Sequence, residues 1–234
     1  KTMQNSFYEL SLEIKKKFKP KKILEIGSND GALIKNFNKS EAIGIEPCRN
    51  LAQITKKMGY ITYNNYWSHE LAKKIRLKNE KIDLIYSANT LTHISDLNEV
   101  FKSISYLLSS NGILIIEDPS LLECIKKNSY DQFYNEHIYL FSAISINNLL
   151  KKFNLVIFDI KNLETHGGSL RYYIKRVINK KITISKNIKI QIKKEMIFGL
   201  HKFSTFKNFS QKVEKSKVKL LSILKSLKHK KKLV

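Results

Sequence analysis

Cysteine is almost missing from this 234-residue chain, and the two present, Cys48 and Cys124, stand apart without metal-ligand spacing. A disulfide framework and a zinc site built from these residues are both excluded. Arginine is scarce, at positions 49, 76, 171 and 176 only, although lysine and arginine together number 43 against 20 acids for a formal charge of +23. A surface that reads bases or clamps phosphate in two-pronged fashion favours arginine. The excess therefore reads as a lysine-rich solvated surface, densest beyond residue 175, where Glu195 and Glu214 are the only acids. No apolar run approaches the roughly 18 residues that cross a bilayer, and no secretory leader heads the chain. A cytoplasmic protein with no membrane partner is expected. Lys1 stands where an initiator Met would, and the sequence stops at Leu233-Val234 after a run of lysines, so both ends are expected to be cuts in something longer.

What is present is a hydrophobic fraction of 42%, enough for one well-buried domain and a smaller appendage. Residues 3–19 put Phe7, Leu10, Ile14 and Phe18 on one face of a helix that stops at Pro20. A short apolar strand, Lys22 to Ile26, runs into a tight turn, and Gly31 is expected to open a helix over Ala32 to Asn38. Strands then alternate with helices: strand 42–46, helix 50–58, strand 60–63, helix 70–78, strand 82–86, helix 97–109 closing at Asn111-Gly112, and strand 113–117. Such alternation argues for a Rossmann-like α/β parallel sheet covered on both faces. A long insert, Ser120 to Ser142, precedes a helix over 145–153 and a hairpin of strands 155–159 and 170–175 joined at Thr165 to Gly168. Five parallel strands and a terminal hairpin are the layout of the class I, seven-stranded S-adenosylmethionine-dependent methyltransferases. Beyond residue 178 the periodicity is purely helical, giving two long helices with a break near Phe209. The division expected is a methyltransferase domain over 1–178 and a helical segment over 179–234.

The candidate cofactor residues sit at strand ends. Glu25, in strand one, can accept from a ligand's amino group, and Gly27, Ser28, Asn29 and Gly31 bring backbone close to it. Glu46 ends strand two about 20 residues on, where a carboxylate accepts ribose hydroxyls. Asn89, past strand four, faces the same cleft. Asn29 replaces the middle glycine of Gly-x-Gly-x-x-Gly, which favours S-adenosylmethionine over a dinucleotide. On the acceptor side are His93, just past strand four, and Tyr134, Glu136 and His137 in the insert. An imidazole serves as a general base near neutral pH, a neighbouring carboxylate can hold its ring, and a phenol can stabilise an enolate. That set suits proton removal from a carbon beside a ketone, followed by methyl transfer to that carbon.

Several stretches together resemble the deoxysugar C-methyltransferases, which act on nucleotide-linked keto-sugars: Leu24-Glu-Ile-Gly-Ser-Asn-Asp-Gly31, Gly44-Ile-Glu-Pro47, Ala88-Asn-Thr-Leu-Thr-His93, Tyr134-Asn-Glu-His137 with Tyr139-Leu-Phe-Ser142, and Thr165-His-Gly-Gly-Ser-Leu-Arg171. The resemblance spans essentially the whole chain. It implies His137 as base, Glu136 and Tyr134 as its supporting and sugar-contacting neighbours, His93 as a second polar group, and His166 and Gly167 near the sugar nucleotide. Thr2-Met3 resembles the end of a segment that folds over the cofactor, with Ser6 where the family carries a histidine. It also implies a zinc-bearing N-terminal lobe, which this sequence lacks, and a further α/β segment whose first strand would start at Lys232-Leu-Val234.

Two other classes compete. The charge suggests a nucleic-acid methyltransferase or RNA-binding module, but Asn89-Thr-Leu-Thr is not the Asn/Asp-Pro-Pro-aromatic loop of an amino-directed enzyme. The basic helices could instead dock a partner in a non-catalytic piece.

Overall fold

The computed structural model describes residues 2–78 and 81–229. Its first element is helix α1 (Thr2–Lys17), followed by strand β1 (Ile23–Ile26), β2 (Ala42–Ile45), α2 (Arg49–Lys57), β3 (Ile61–Tyr63), α3 (His69–Lys78), β4 (Ile82–Ala88), α4 (Leu97–Leu107) and β5 (Leu108–Pro119). Helices α5 (Leu121–Lys127) and α6 (Ala143–Lys151), strands β6 (Leu155–Leu163) and β7 (Ser169–Arg176), and helices α7 (Lys186–Phe198) and α8 (Phe203–His229) complete it. The side chains of Thr2 and Met3 and the expected strand start at Lys232 to Val234 lie outside what is described.

The strands form one seven-stranded sheet in the order β3-β2-β1-β4-β5-β7-β6. The first five are parallel, and β7 lies antiparallel between β5 and the edge strand β6. Continuous apolar runs were legible as strands because both faces are covered. On one face Leu24, Ile26, Ile85 and Ile116 pack with Ile75, Phe101, Ile104, Ile146 and Ile188 from the helices. On the other, Ile23, Leu84, Tyr86 and Ile115 pack beneath Leu10 and Ile14 of α1. The carboxyl ends of β1, β2 and β4 thus open at one rim, where α1 passes overhead.

Four local expectations change. No α-helix follows Gly31: a single 3-10 turn, Ile34–Asn36, stands there. Asn36 turns its own amide back onto the carbonyls of Ala32 and Leu33, competing with helix propagation over a connection that must reach β2 within a few residues. Asn111-Gly112 does not close α4, which ends at Leu107 with extended Leu108, and lies instead within β5. The insert is partly helical, holding α5, whose N-cap Ser120 accepts from Glu123 N–H, and a 3-10 turn at Tyr130–Gln132. The last break falls at Gly199 rather than Phe209, because Gly199 takes a left-handed conformation (φ 89°) that ends α7.

Helix α7 is tied to the sheet domain by Glu195, fully buried, whose carboxylate accepts from Ala143 N–H (2.8 Å), Ile144 N–H (3.0 Å) and Gln191 Nε2 (3.0 Å). It satisfies the first donors of α6 and places negative charge at that helix's positive end. Helix α8 keeps Val218, Leu220, Leu221 and Ile223 exposed and meets the insert through Phe209 against Phe133, ring centroids 5.5 Å apart. Among the described residues no helix is long and apolar enough to cross a membrane, and no group of three or more His, Cys, Asp or Glu could hold a metal ion.

Candidate active site

A cavity of about 600 Å³ opens at the carboxyl rim of the sheet, between α1 and the ends of β1, β2 and β4. Its wall includes Glu25, Gly27, Ser28, Asn29, Glu46 and Asn89, six of the seven expected cofactor residues, together with His93 and His166. The seventh, Gly31, is not in the wall. Its φ is +81° and a side chain there would press on Thr55 Cγ2 at 2.7 Å, so this glycine serves backbone packing.

The turn after β1 alternates left-handed residues, Gly27 (φ 74°), Asn29 (φ 49°) and Gly31 (φ 81°). Gly27 and Ser28 both donate N–H to Ile45 O at 2.9 Å, closing the turn on β2. A Cβ at Gly27 would sit 2.2 Å from Thr90 Oγ1, so only glycine lets the loop after β4 approach so closely. Ser28 Oγ lies over Gly44, where a Cβ would be 2.7 Å away, and it has no hydrogen-bond partner. Glu46 bridges the turn: Oε2 accepts from Asn29 N–H and Oε1 from Cys48 N–H, each at 2.8 Å. Glu25 lies beneath, buried, with Oε2 unpartnered. Burial pushes its carboxyl well above the ordinary glutamate range, the nearby Asp30, Glu46 and Glu117 push it further, and a hydrogen bond from the Ile34 backbone opposes them.

The acceptor side is built by the segment after β4 and by the insert. His137 Nδ1 lies 2.9 Å from Gln132 O, and a carbonyl only accepts, so Nδ1 carries the proton. In the neutral tautomer that this contact selects, the lone pair is at Nε2, 2.8 Å from the Tyr134 hydroxyl, which donates to it. By the same argument His93 Nδ1 donates to Glu136 O (2.8 Å) and keeps an open Nε2. The two imidazoles are 5.0 Å apart between centroids. His93 lines the cavity while His137 and Tyr134 stand behind it, so the predicted set is brought together. Glu136 differs from expectation in manner: its carboxylate is exposed and makes no hydrogen bond or ion pair among the described residues, while its backbone carbonyl orients His93. His166 Nε2 accepts from Asn89 Nδ2 (3.2 Å), with both backbones left-handed (φ 52° and 48°). Gly167 (φ 77°), the other residue expected at the substrate, offers its carbonyl to Lys127 Nζ.

Behind the cavity a buried ion pair links β5 to β7. Arg171 Nη2 donates to Glu117 Oε1 (2.9 Å), and the Tyr86 hydroxyl donates to Glu117 Oε2 (2.8 Å). Burial works against the Arg171 charge, but Glu117 more than offsets it and holds the guanidinium above its usual range. Phe7, Tyr66, Trp67 and Thr90 also stand in the cavity wall, none of them singled out as a site residue from the sequence. An aromatic pair directly after a strand at this rim, Tyr66-Trp67, was the available signal.

These residues fit S-adenosylmethionine. The volume suits a nucleoside-sized ligand. An unpartnered buried carboxyl at the floor suits a cationic amine, and Phe7, Ile26, Ile45, Trp67 and Ile94 give an apolar wall for a base. The comparisons agree. Residues 4–159 match the family described as methyltransferase domain, and residues 164–234 match the C-methyltransferase C-terminal domain. The chain is 31% identical over 150 residues to C-methyltransferase NovU of Streptomyces niveus, covering 63% of this chain and 36% of that protein, so it spans about a third of its relative's length. Among solved structures, an S-adenosylmethionine-dependent methyltransferase from Clostridium acetobutylicum superimposes with TM-score 0.54 at 15% identity, over 74% of this chain and 91% of that one. Magnesium protoporphyrin IX methyltransferase from Synechocystis, solved with bound SAH, gives 0.55 at 13%, over 74% and 83%. On fold, cavity and family match together, the chain belongs to the S-adenosylmethionine-dependent methyltransferases.

Proposed function

We propose that the protein transfers a methyl group to the carbon beside the ketone of a nucleotide-linked keto-deoxysugar, with His137 as base. The observation that carries this reading is the fixed His137 tautomer: Nδ1–H is held by Gln132 O, so the basic Nε2 meets the Tyr134 hydroxyl beside the cavity. Transfer to carbon is supported by the C-terminal domain match and by the name of the relative. The keto-sugar acceptor rests on the Tyr134 to His137 and His166 to Arg171 stretches.

In this reading Glu25, Asn29, Glu46 and Asn89 hold the cofactor, which when bound supplies an electrophilic methyl on a cationic sulfur. His137 Nε2 takes the proton from the carbon beside the ketone, and the electron pair moves to the carbonyl oxygen. Tyr134, released from Nε2 as the substrate enters, donates its hydroxyl to that oxygen and stabilises the enolate. The carbon beside the carbonyl is thereby made the nucleophile that would accept the methyl group. His93 Nε2 and the His166-Gly167 turn orient the sugar, and the exposed Glu136 carboxylate faces its hydroxyls.

Calorimetric titration with S-adenosylmethionine, followed by mass spectrometry of a panel of nucleotide keto-sugars, tests this. His137→Ala is expected to abolish the gain of one methylene mass while leaving cofactor affinity within a few-fold. Wild-type turnover in that variant would remove His137 from the mechanism. Salt-sensitive binding to mixed RNA, with no sugar methylated, would favour a nucleic-acid substrate instead.

A further inference from the structure

The segment Asn89 to His93 touches the three other parts of the site at once. Asn89 meets the β6–β7 turn through His166. Thr90 lies against Gly27 of the turn after β1. Thr92, fully buried and absent from the cavity wall, holds the insert. Its carbonyl accepts from Ile138 N–H (2.9 Å) and Tyr139 N–H (3.3 Å), and its hydroxyl donates to Tyr139 O in a short contact. Tyr139 OH returns to Ser95 O (2.7 Å), so the same segment of the insert is fastened at Thr92 and again at Ser95.

We propose that Thr92 is a positioning residue for methyl transfer, locking the insert onto the segment after β4 so that His137 and Tyr134 keep their station beside His93 and the cofactor cavity. The proposal rests on the C-methyltransferase reading for its consequence but on geometry for its cause. His93 follows Thr92 directly, and His137 precedes Ile138 directly. The Thr92 carbonyl is therefore bonded directly to His93 and the clamped Ile138 amide directly to His137, and the two imidazole centroids are 5.0 Å apart. If the hydroxyl is lost, Tyr139 O is left without that donor, and the insert gains freedom relative to His93. Misplacement of a base by about 1 Å costs on the order of a hundredfold in rate. The cofactor residues Glu25, Glu46 and Asn29 are fastened to one another and to β2, so their geometry does not pass through Thr92.

Thr92→Val, which keeps the shape and removes the hydroxyl, is tested against Thr92→Ser, which keeps the hydroxyl, and Tyr139→Phe, which removes the second fastening. Hydrogen exchange is followed at Ile138 and Tyr139, the imidazole nitrogens of His93 and His137 are followed by 15N NMR, S-adenosylhomocysteine affinity by calorimetry, and kcat and KM where a keto-sugar is methylated. Thr92→Val is expected to speed exchange at both amides roughly tenfold, to shift the His137 nitrogen signals, and to lower kcat with KM and cofactor affinity within about threefold. Thr92→Ser is expected to restore all of these, and Tyr139→Phe to give a weaker effect in the same direction. Unchanged exchange and nitrogen signals in a folded Thr92→Val overturn the proposal, as does a loss of cofactor affinity matching the exchange change. Should Thr92→Val not fold, Thr92→Ser and Tyr139→Phe decide it by the same readouts. If no sugar is methylated even by the wild type while exchange and NMR respond as expected, the clamp stands and the sugar reading fails.

Discussion

Glu25→Gln separates two effects that burial ties together at the floor of the cavity. The carboxyl is buried with one oxygen unpartnered, and its proton affinity is raised by loss of solvent first and by neighbouring acids second. A raised acid binds more protons in the folded chain than in the unfolded one. Its contribution to stability is present below the ordinary glutamate pKa of about 4.3 and is lost as pH rises through the raised value. Glutamine carries no such penalty, so above that window the free variant is expected to be at least as stable as the wild type. Cofactor binding should move the opposite way. An ammonium group needs the carboxylate, and a charge-assisted hydrogen bond contributes about 1.5–3 kcal/mol, so the variant should bind about 10- to 100-fold more weakly. Below the raised value the free carboxyl holds a proton, so wild-type binding there should also release one. Titration of S-adenosylmethionine in buffers of different ionisation enthalpy, from about pH 5 to about pH 8, reads that proton directly. Affinity should rise with pH across the window in the wild type and stay flat in Glu25→Gln. Wild-type affinity in the variant, or binding without proton release, would refute the reasoning.

Arg171→Met strands Glu117 as an unpaired buried charge and is expected to cost about 3–5 kcal/mol by urea denaturation. Adding Glu117→Gln, which keeps an acceptor for Tyr86, should recover a large part of it; no recovery would mean the guanidinium's packing matters more than its charge. Glu195→Ala removes the acceptor of the Ala143 and Ile144 N–H groups at the start of α6, for an expected loss of about 2–4 kcal/mol with cofactor affinity unchanged. An equal loss of affinity would show that α7 reaches the cofactor cavity.

What could be read in the sequence was what local chemistry decides. β1, β4 and β5 announced themselves as mostly apolar runs, interrupted by Glu25 in the first and Asp83 in the second, because both sheet faces are buried, and the glycine turn followed from residues that must adopt positive φ. The expected helix after Gly31 failed because Asn36 bonds its own turn, a competition that periodicity does not register. Asn111-Gly112 looked like a stop because the pair is common at helix ends, yet Gly112 here lets Leu108 close in from the side, within 2.8 Å of where its Cβ would be. At the site, the Tyr134 to His137 spacing pointed to residues that the fold brings together with His93. The protonation pattern did not show, since it is set by the carbonyls of Gln132 and Glu136, and a sequence gives no sign of where a carbonyl points.

The place of β7 in the sheet has a consequence for how the protein comes into being. A chain emerging from its N-terminus can pair β1 to β5 by residue 119, but the strand that flanks β5 on the other side is the last of the seven, beyond β6. Until residues 169–176 arrive, Glu117 has no Arg171, and His166 is not there to meet Asn89. The cofactor half of the cleft and the His93–His137 cluster can be assembled early, whereas the His166 turn waits for the final hairpin to add β7 to the free edge of β5. A ribosome-bound intermediate of this chain should therefore hold the donor pocket before the His166 turn can close on Asn89.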